Sequence, residues 1–333
     1  GAASLVSAVG DDDRGAAILE ACRSAGVAAG AVEVVRGART ATYSALMDGG
    51  GELVGAVADM AVFDRITPAS VQAGLLAEGP GADLVLCDAN LGREALQRAL
   101  DYCAGANLQA WLEPVSVAKA VRGRLSRPWD LVSPNWDELL AMLGRQPSPL
   151  LAPAAGELPQ QALGALSAAL DEGLARSVLL TMGPLGAVLA SAGPGGDGGG
   201  PAWPPVGAAS WRVDVDAASL LEAGRGGPPD VPPLSVAVER VELPGPAEDR
   251  RCLRYRLLRP LASVRDVTGA GDALVGGTAA ARAAGWPLGE AVVAGLTCAH
   301  LTLFADGAVA PFLGPELLGR LRGALAVGTS SRL

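Results

Sequence analysis

Asp266-Val267-Thr268-Gly269-Ala270-Gly271-Asp272 is the stretch of this chain whose residue types and spacing most directly permit chemistry. Thr268 precedes small residues that let a backbone come close to an anion, and a helical run, Ala273 to Ala284, follows. The N–H groups of Gly269, Ala270 and Gly271 would then sit at a helix entrance, where the dipole favours negative charge. Asp272 falls in the first turn beside them, placed to take a proton from an attacking hydroxyl. An amide-lined anion hole next to a base is what phosphoryl transfer requires, because its catalysis is chiefly positioning and charge stabilisation. A first-turn aspartate after a glycine turn is also an ordinary helix start. The flanking Asp266 and Thr268, with the long small-residue helix behind them, favour the functional reading.

Two further groups fit the same chemistry. Asn135-Trp136-Asp137-Glu138 places an acidic side chain at a helix start, where it could partner a hydrated Mg²⁺ through water. The same Asn135 and Glu138 spell an N-cap with a reciprocal acid at its third position, a capping box that needs no metal. On spacing alone the two readings stand level. Thr181-Met182-Gly183-Pro184-Leu185-Gly186 reads as a strand running into a tight turn. Thr42 and Ser44 alternate along a strand, so their hydroxyls share one face suited to a polar substrate edge. Lys119 is the only lysine, and no G-x-x-x-x-G-K-[ST] or protein-kinase signature occurs. A phosphate grip must therefore come from amides. Lys119 itself reads either as a contact to substrate or phosphate or as a solvated helix residue. His300, in an apolar helical run, reads as a packed core histidine.

Composition bounds the rest. At 333 residues, 50% hydrophobic and 18% charged, the chain can bury a large core. A net charge of -9 leaves no cationic surface to displace counterions, so no nucleic-acid partner is expected. The five cysteines are scattered with no C-x-x-C, which argues for a reducing compartment and against zinc or a disulfide framework. No apolar run approaches the roughly 18 residues of a membrane span, and no membrane partner is expected. Ser331-Arg332-Leu333 resembles the peroxisomal address, so a peroxisomal import receptor is expected at an exposed tail of 329–333, with the cytosol as the other setting.

The elements that must position these residues alternate between short β-branched runs and alanine- and leucine-rich helices. That is the pattern of a three-layer α/β domain with a largely parallel central sheet, here taken to span 1–333. Strands are expected at Ser4 to Val9, Leu84 to Asp88, Leu108 to Glu113, Leu131 to Ser133 and Ser177 to Met182, with helices from the Asp11–Asp13 run to Ser24, over Arg93 to Ala104, near Val117 to Val121, and from Asn135 to Leu143. Residues 32–60 read as a β flap turning at Asp48-Gly49-Gly50-Gly51. Such a flap also offers a surface for a homodimer. Residues 191–245 read as a Gly/Pro-rich insertion that packs loosely or not at all, with one strand at Trp211 to Val215.

The D-x-T-G-A-G-D block resembles the C-terminal signature of the ribokinase-like (PfkB) kinases, and N-x-x-E and the T-M-G-P-L-G turn follow that family's order. The resemblance implies a ribokinase-like fold, Asp272 as catalytic base, and Gly269, Ala270 and Gly271 as the anion hole for the γ-phosphoryl of ATP. It also implies Thr181, Gly183, Gly186 and Thr268 along the nucleotide, Asn135 and Glu138 toward Mg²⁺, and Asp266 at a monovalent-cation (K⁺) site. Thr40 to Asp48, Gly51 to Val54, Phe63 to Pro68, Cys87-Asp88-Ala89-Asn90 and Glu113-Pro114-Val115-Ser116 with Lys119 are similar to the pseudouridine kinase branch. That implies phosphorylation of the 5′-hydroxyl of pseudouridine by ATP, with Thr42, Ser44, Asn90 and Lys119 on the substrate side. Adenosine or ribose as acceptor, and a nucleotide-binding protein without turnover, are the rival expectations. Compared with the family, Gly1 stands where a first helix has already ended. The expectation is therefore of a longer chain whose N-terminal strands are missing here.

Overall fold

The computed structural model describes residues 2–47, 53–151, 157–193, 210–216, 220–221, 231–245, 250–259, 264–265, 267–305, 307, 310 and 313–328. The turn expected at 48–51, Asp266, the tail at 329–333 and much of 191–245 lie outside the described residues. The chain forms two compact units, Gly1–Trp129 and Asp130–Leu333.

In the first unit β1 (Ala3–Gly10) is joined through α1 (Asp13–Ser24) to β2 (Val27–Val35), and the two strands pair in parallel. β3 (Thr42–Met47) and β4 (Leu53–Asp59) form an antiparallel hairpin. The flap is therefore shorter than the expected 32–60: Val32 to Val35 belong to β2, because their β-branched pattern finds a partner in β1. The root of the hairpin is tied down. Asp12 accepts from the Thr40 amide at 2.9 Å, the Thr40 hydroxyl at 2.5 Å and the Gly15 amide at 2.9 Å. Those bonds, the Thr40 hydroxyl foremost, hold the Asp12 carboxyl down at about 2. After α2 (Pro68–Glu78), β5 (Leu84–Asp88), α3 (Arg93–Ala106) and β6 (Gln109–Glu113) make a second parallel pair. The short α4 (Val117–Ala120) follows.

The second unit holds β7 (Leu131–Val132), α5 (Trp136–Met142), α6 (Gln160–Asp171), β8 (Ser177–Thr181), β9 (Ala187–Ser191), β10 (Ser210–Val215), β11 (Leu234–Arg240) and β12 (Arg251–Leu257). Its strands run in the order β10-β11-β12-β9-β8-β7. Among the described residues only β7–β8 is parallel there; every pair from β8 to β10 is antiparallel. The sheet is mixed, which corrects the expectation of a largely parallel one. The physical reason is the length of the connections: the few residues between β8 and β9 can only close a hairpin. A second correction concerns 191–245. The strand expected at Trp211 to Val215 is present, but Leu234–Arg240 is also a strand, with Val236, Ala237 and Val238 buried between two partners. Flanking Gly and Pro residues concealed a short apolar run, Val236-Ala237-Val238.

Against this sheet lie α7 (Ala270–Ala283) and α8 (Leu288–Thr302), followed by α9 (Pro315–Gly328). The Tyr255 hydroxyl of β12 donates to the Gly289 carbonyl of α8 at 2.8 Å. α7 and α8 approach closely because both are glycine at the contact. A Cβ on Gly295 would stand 2.1 Å from the Thr278 hydroxyl and 2.4 Å from the Leu274 carbonyl oxygen, and one on Gly277 would stand 2.7 Å from the Cys298 sulfur. A side chain at Gly295 must push α7 outward. Gly295→Ala is expected to cost about 1–3 kcal/mol in urea unfolding, whereas a wild-type midpoint would show that the helices separate freely.

Candidate functional site

The entrance of α7 is built for bare amides. Gly269 takes φ 79° and supplies no capping side chain. A Cβ on Gly271 would meet nothing within 4 Å, so the space over the entrance is open. Thr268 and Asp272 are exposed on either side of it, with Gly269 and Ala270 half-buried. One expected donor is engaged: the Ala270 amide donates to the Val267 carbonyl at 3.3 Å, because the chain folds into a turn before the helix begins. The Ala273 amide closes the first helical bond onto Gly269 at 2.8 Å. Of the three expected donors this leaves the amides of Gly269 and Gly271, with Asp272 in the same turn.

In the same unit β8 delivers Thr181 into a glycine turn. The Met182 amide bonds the Gly186 carbonyl at 2.9 Å and the Gly186 amide bonds the Gly183 carbonyl at 3.0 Å. Gly183 and Gly186 have φ 54° and 88°, and a Cβ on Gly186 would overlap the Tyr255 carbonyl oxygen at 1.9 Å. Only glycine fits there. The Thr181 amide donates to the Pro134 carbonyl at 3.0 Å, and Thr181 bridges Asn135 in parallel fashion. The structure thus brings Thr181 beside the start of α5.

There the capping box is formed. Asn135 accepts from the Glu138 amide at 2.9 Å, and Glu138 accepts from the Asn135 amide at 2.9 Å. Glu138 is 5% exposed, and burial pushes its carboxyl upward against the Asn135 bond that favours the charged form. Among the described residues no group of three or more His, Cys, Asp or Glu gathers to hold a metal ion. With Glu138 as its one buried carboxylate, this donor set would fit a magnesium ion through water and not as a direct cage.

The residues expected on the substrate side lie in the first unit. Thr42 and Ser44 share a face of the hairpin opposite Asp59 and Val57. Lys119 is not a solvated helix residue: it is half-buried, and its ammonium donates to the Asn90 side-chain carbonyl. The Asn90 amide in turn donates to Asp88 at 2.8 Å. Arg122, which sequence reasoning missed, donates to the carbonyls of Ala89, Asn90 and Leu91 at 3.0, 3.1 and 3.3 Å. One guanidinium fixes the loop that holds Asn90, and its i+3 spacing from Lys119 was the available signal. The Asp12–Thr40 latch was missed as well, since nothing local links residues so far apart.

His300 is a core residue, as its apolar helix suggested. It is 3% exposed, its Nε2 lies 2.7 Å from the Pro232 carbonyl oxygen, and its ring packs edge-on against Phe304. Burial lowers its pKa. The unfolded chain therefore binds a proton more readily than the folded one, and the site costs stability as pH falls below about 6.5. Glu138 and Glu290, both pushed up by burial, act in the opposite sense. The informative readout is therefore a difference: the wild-type melting temperature should fall relative to His300→Gln between pH 7 and 5, and parallel curves would refute this. Separately, Asn135→Ala should cost about 1 kcal/mol through loss of the cap, measured by thermal unfolding.

Known proteins resemble this chain in sequence and in fold. The sequence profile of the pfkB family carbohydrate kinase matches residues 1–208 and 255–313. The chain is 28% identical over 295 residues to a pseudouridine kinase of Arabidopsis thaliana, covering 84% of this chain and 72% of that protein. It is 34% identical over 121 residues to a pseudouridine kinase of Escherichia coli, covering 36% of this chain and 37% of that protein. Among solved structures, ribokinase from Giardia lamblia superposes with a TM-score of 0.61 at 16% identity, covering 96% of this chain and 82% of that one. Arabidopsis thaliana ribokinase complexed with ribose and ATP superposes with a TM-score of 0.60 at 17% identity, covering 96% and 81%. The fold is ribokinase-like, and the chain belongs to the pfkB family of carbohydrate kinases.

Proposed function

We propose that this chain transfers the γ-phosphoryl group of ATP to the 5′-hydroxyl of pseudouridine, giving pseudouridine 5′-phosphate and ADP. The observation that carries the reaction type is the uncapped glycine entrance of α7 with Asp272 in its first turn. The acceptor is inferred from the similarity to pseudouridine kinases of Arabidopsis thaliana and Escherichia coli. ATP as donor is supported by family membership and by a ribokinase of the same fold complexed with it.

The residues take the following parts. The Asp272 carboxylate receives the acceptor's hydroxyl proton as the new O–P bond forms. The bond from the γ-phosphorus to the bridging oxygen breaks, and its electron pair leaves with ADP. Amides at Gly269 and Gly271 face the equatorial oxygens, where fixed dipoles need no reorganisation. Thr181, Gly183 and Gly186 form the wall along the nucleotide, and the lack of a Cβ at Gly186 keeps that turn tight against β12. Asn135 and Glu138 would hold a hydrated magnesium ion, which supplies charge neutralisation to the phosphates when bound. Thr42, Ser44, Asn90 and Lys119 meet the acceptor.

The test is a panel of pseudouridine, uridine, adenosine and ribose at equal concentration with ATP, Mg²⁺ and K⁺, read as ADP formed. Pseudouridine should give the highest kcat/KM. Asp272→Asn should lower kcat by roughly 10²–10⁴-fold, the usual range for a lost general base, with a wild-type melting temperature. Glu138→Gln retains an acceptor for the Asn135 amide, so a loss of turnover with an intact fold would separate a role in metal binding from the cap. Preference for another acceptor would replace pseudouridine. Full activity in Asp272→Asn would remove the base.

A further inference from the structure

The turn between β6 and α4 carries a backbone cost that packing does not explain. Val115 has φ 68°, a left-handed conformation that is unusual for any residue with a Cβ and worst for a β-branched one. The other such non-glycine among the described residues is Asn107, which closes the end of α3 with its amide on the Cys103 carbonyl, an ordinary task for Asn. At Val115 the Ser116 amide reaches back to the Pro114 carbonyl at 2.8 Å, closing a three-residue turn of the strained kind. Glycine or asparagine would make this turn with less strain. Nor does the isopropyl group recover the cost in a core, since Val115 is 40% exposed.

Val115 stands at one end of a parallel strand pair. β5 and β6 pair in parallel with Asp88 opposite Glu113, so their carboxyl ends finish level. In open α/β sheets ligands lie outside those ends. The segment leaving β5 holds Asn90, immobilised by Asp88 and by Arg122. The segment leaving β6 holds Val115, then α4, whose Lys119 and Ala120 amides bond Ser116 at 3.0 and 2.8 Å and whose Lys119 side chain returns to Asn90. A rigid polar pair and a strained apolar side chain thus leave the same edge of one strand pair. Strain of this kind persists where the surrounding structure enforces it, and it concentrates at ligand sites.

We propose that Val115 is a specificity-determining residue, its isopropyl group held out at the carboxyl ends of β5 and β6 as an apolar contact for the ring face of the nucleoside acceptor. The Lys119–Asn90 pair meets the polar edge of that acceptor. The inference rests on the kinase reading given above. It is tested with Val115→Gly and Val115→Ala, measuring KM for pseudouridine, KM for ATP, kcat and melting temperature. Both variants should raise KM for the nucleoside by roughly 10-fold, the scale of a lost small apolar contact. KM for ATP should stay at the wild-type value, kcat should change less than about twofold, and Val115→Gly should melt no lower than wild type because the turn is relieved. An unchanged nucleoside KM in both variants overturns the contact. So does a rise in Val115→Gly alone, which would assign the effect to loop stiffness. Loss of kinase turnover in the wild type with every acceptor would remove the kinase reading and this inference with it. Turnover in the wild type with an indifferent Val115 removes the inference alone.

Discussion

The close approach of α7 and α8 is the constraint on which the second unit turns. Leu274, Thr278 and Gly295 meet at distances that leave no room for a methyl group. This contact sets where α7 begins, and therefore where an uncapped helix entrance opens. On the proposed reading phosphate falls to main-chain amides, whose grip cannot be adjusted by a side-chain rotamer as a lysine's could. The chain has to fix the helix instead. Gly277 and Gly295 do this at the cost of helix propensity, a cost that packing offsets locally.

The same reliance on backbone recurs at the β8–β9 turn and at α5. Gly186 abuts Tyr255, and Tyr255 in turn bonds α8, so the glycine turn and the helical pair lean on one tyrosine. Asn135 and Glu138 satisfy each other, which leaves a buried carboxylate whose charge burial disfavours. The two readings of N-x-x-E that spacing left level are compatible. The capping box is observed, and it orients the carboxylate that the proposed magnesium role would use.

Local features were legible in the sequence and distant ones were not. The G-A-G-D entrance, the Asn135 cap and the strand at Ser177 to Thr181 each announce themselves within a few residues, because caps and tight turns are made by neighbours. The orientation of the sheet did not, since parallel and antiparallel partners give similar apolar runs when both faces are buried. Leu234–Arg240 was hidden by its glycine- and proline-rich flanks. The pairing of Lys119 with Asn90, the Arg122 clamp and the Asp12–Thr40 latch all depend on segments that only the fold brings together. Val115 entered the sequence reading only as one letter of the Glu113–Ser116 stretch: a β-branched residue suggests extended backbone, and only the observed dihedral shows otherwise.

Lys119 has one more consequence. Lys and Arg together number 26, and every one except this residue is arginine. Amine-directed reagents such as acylating probes and short crosslinkers would therefore find a single side-chain target, already hydrogen-bonded to Asn90. Chemistry that scatters over most proteins becomes, on this chain, a reporter on one address.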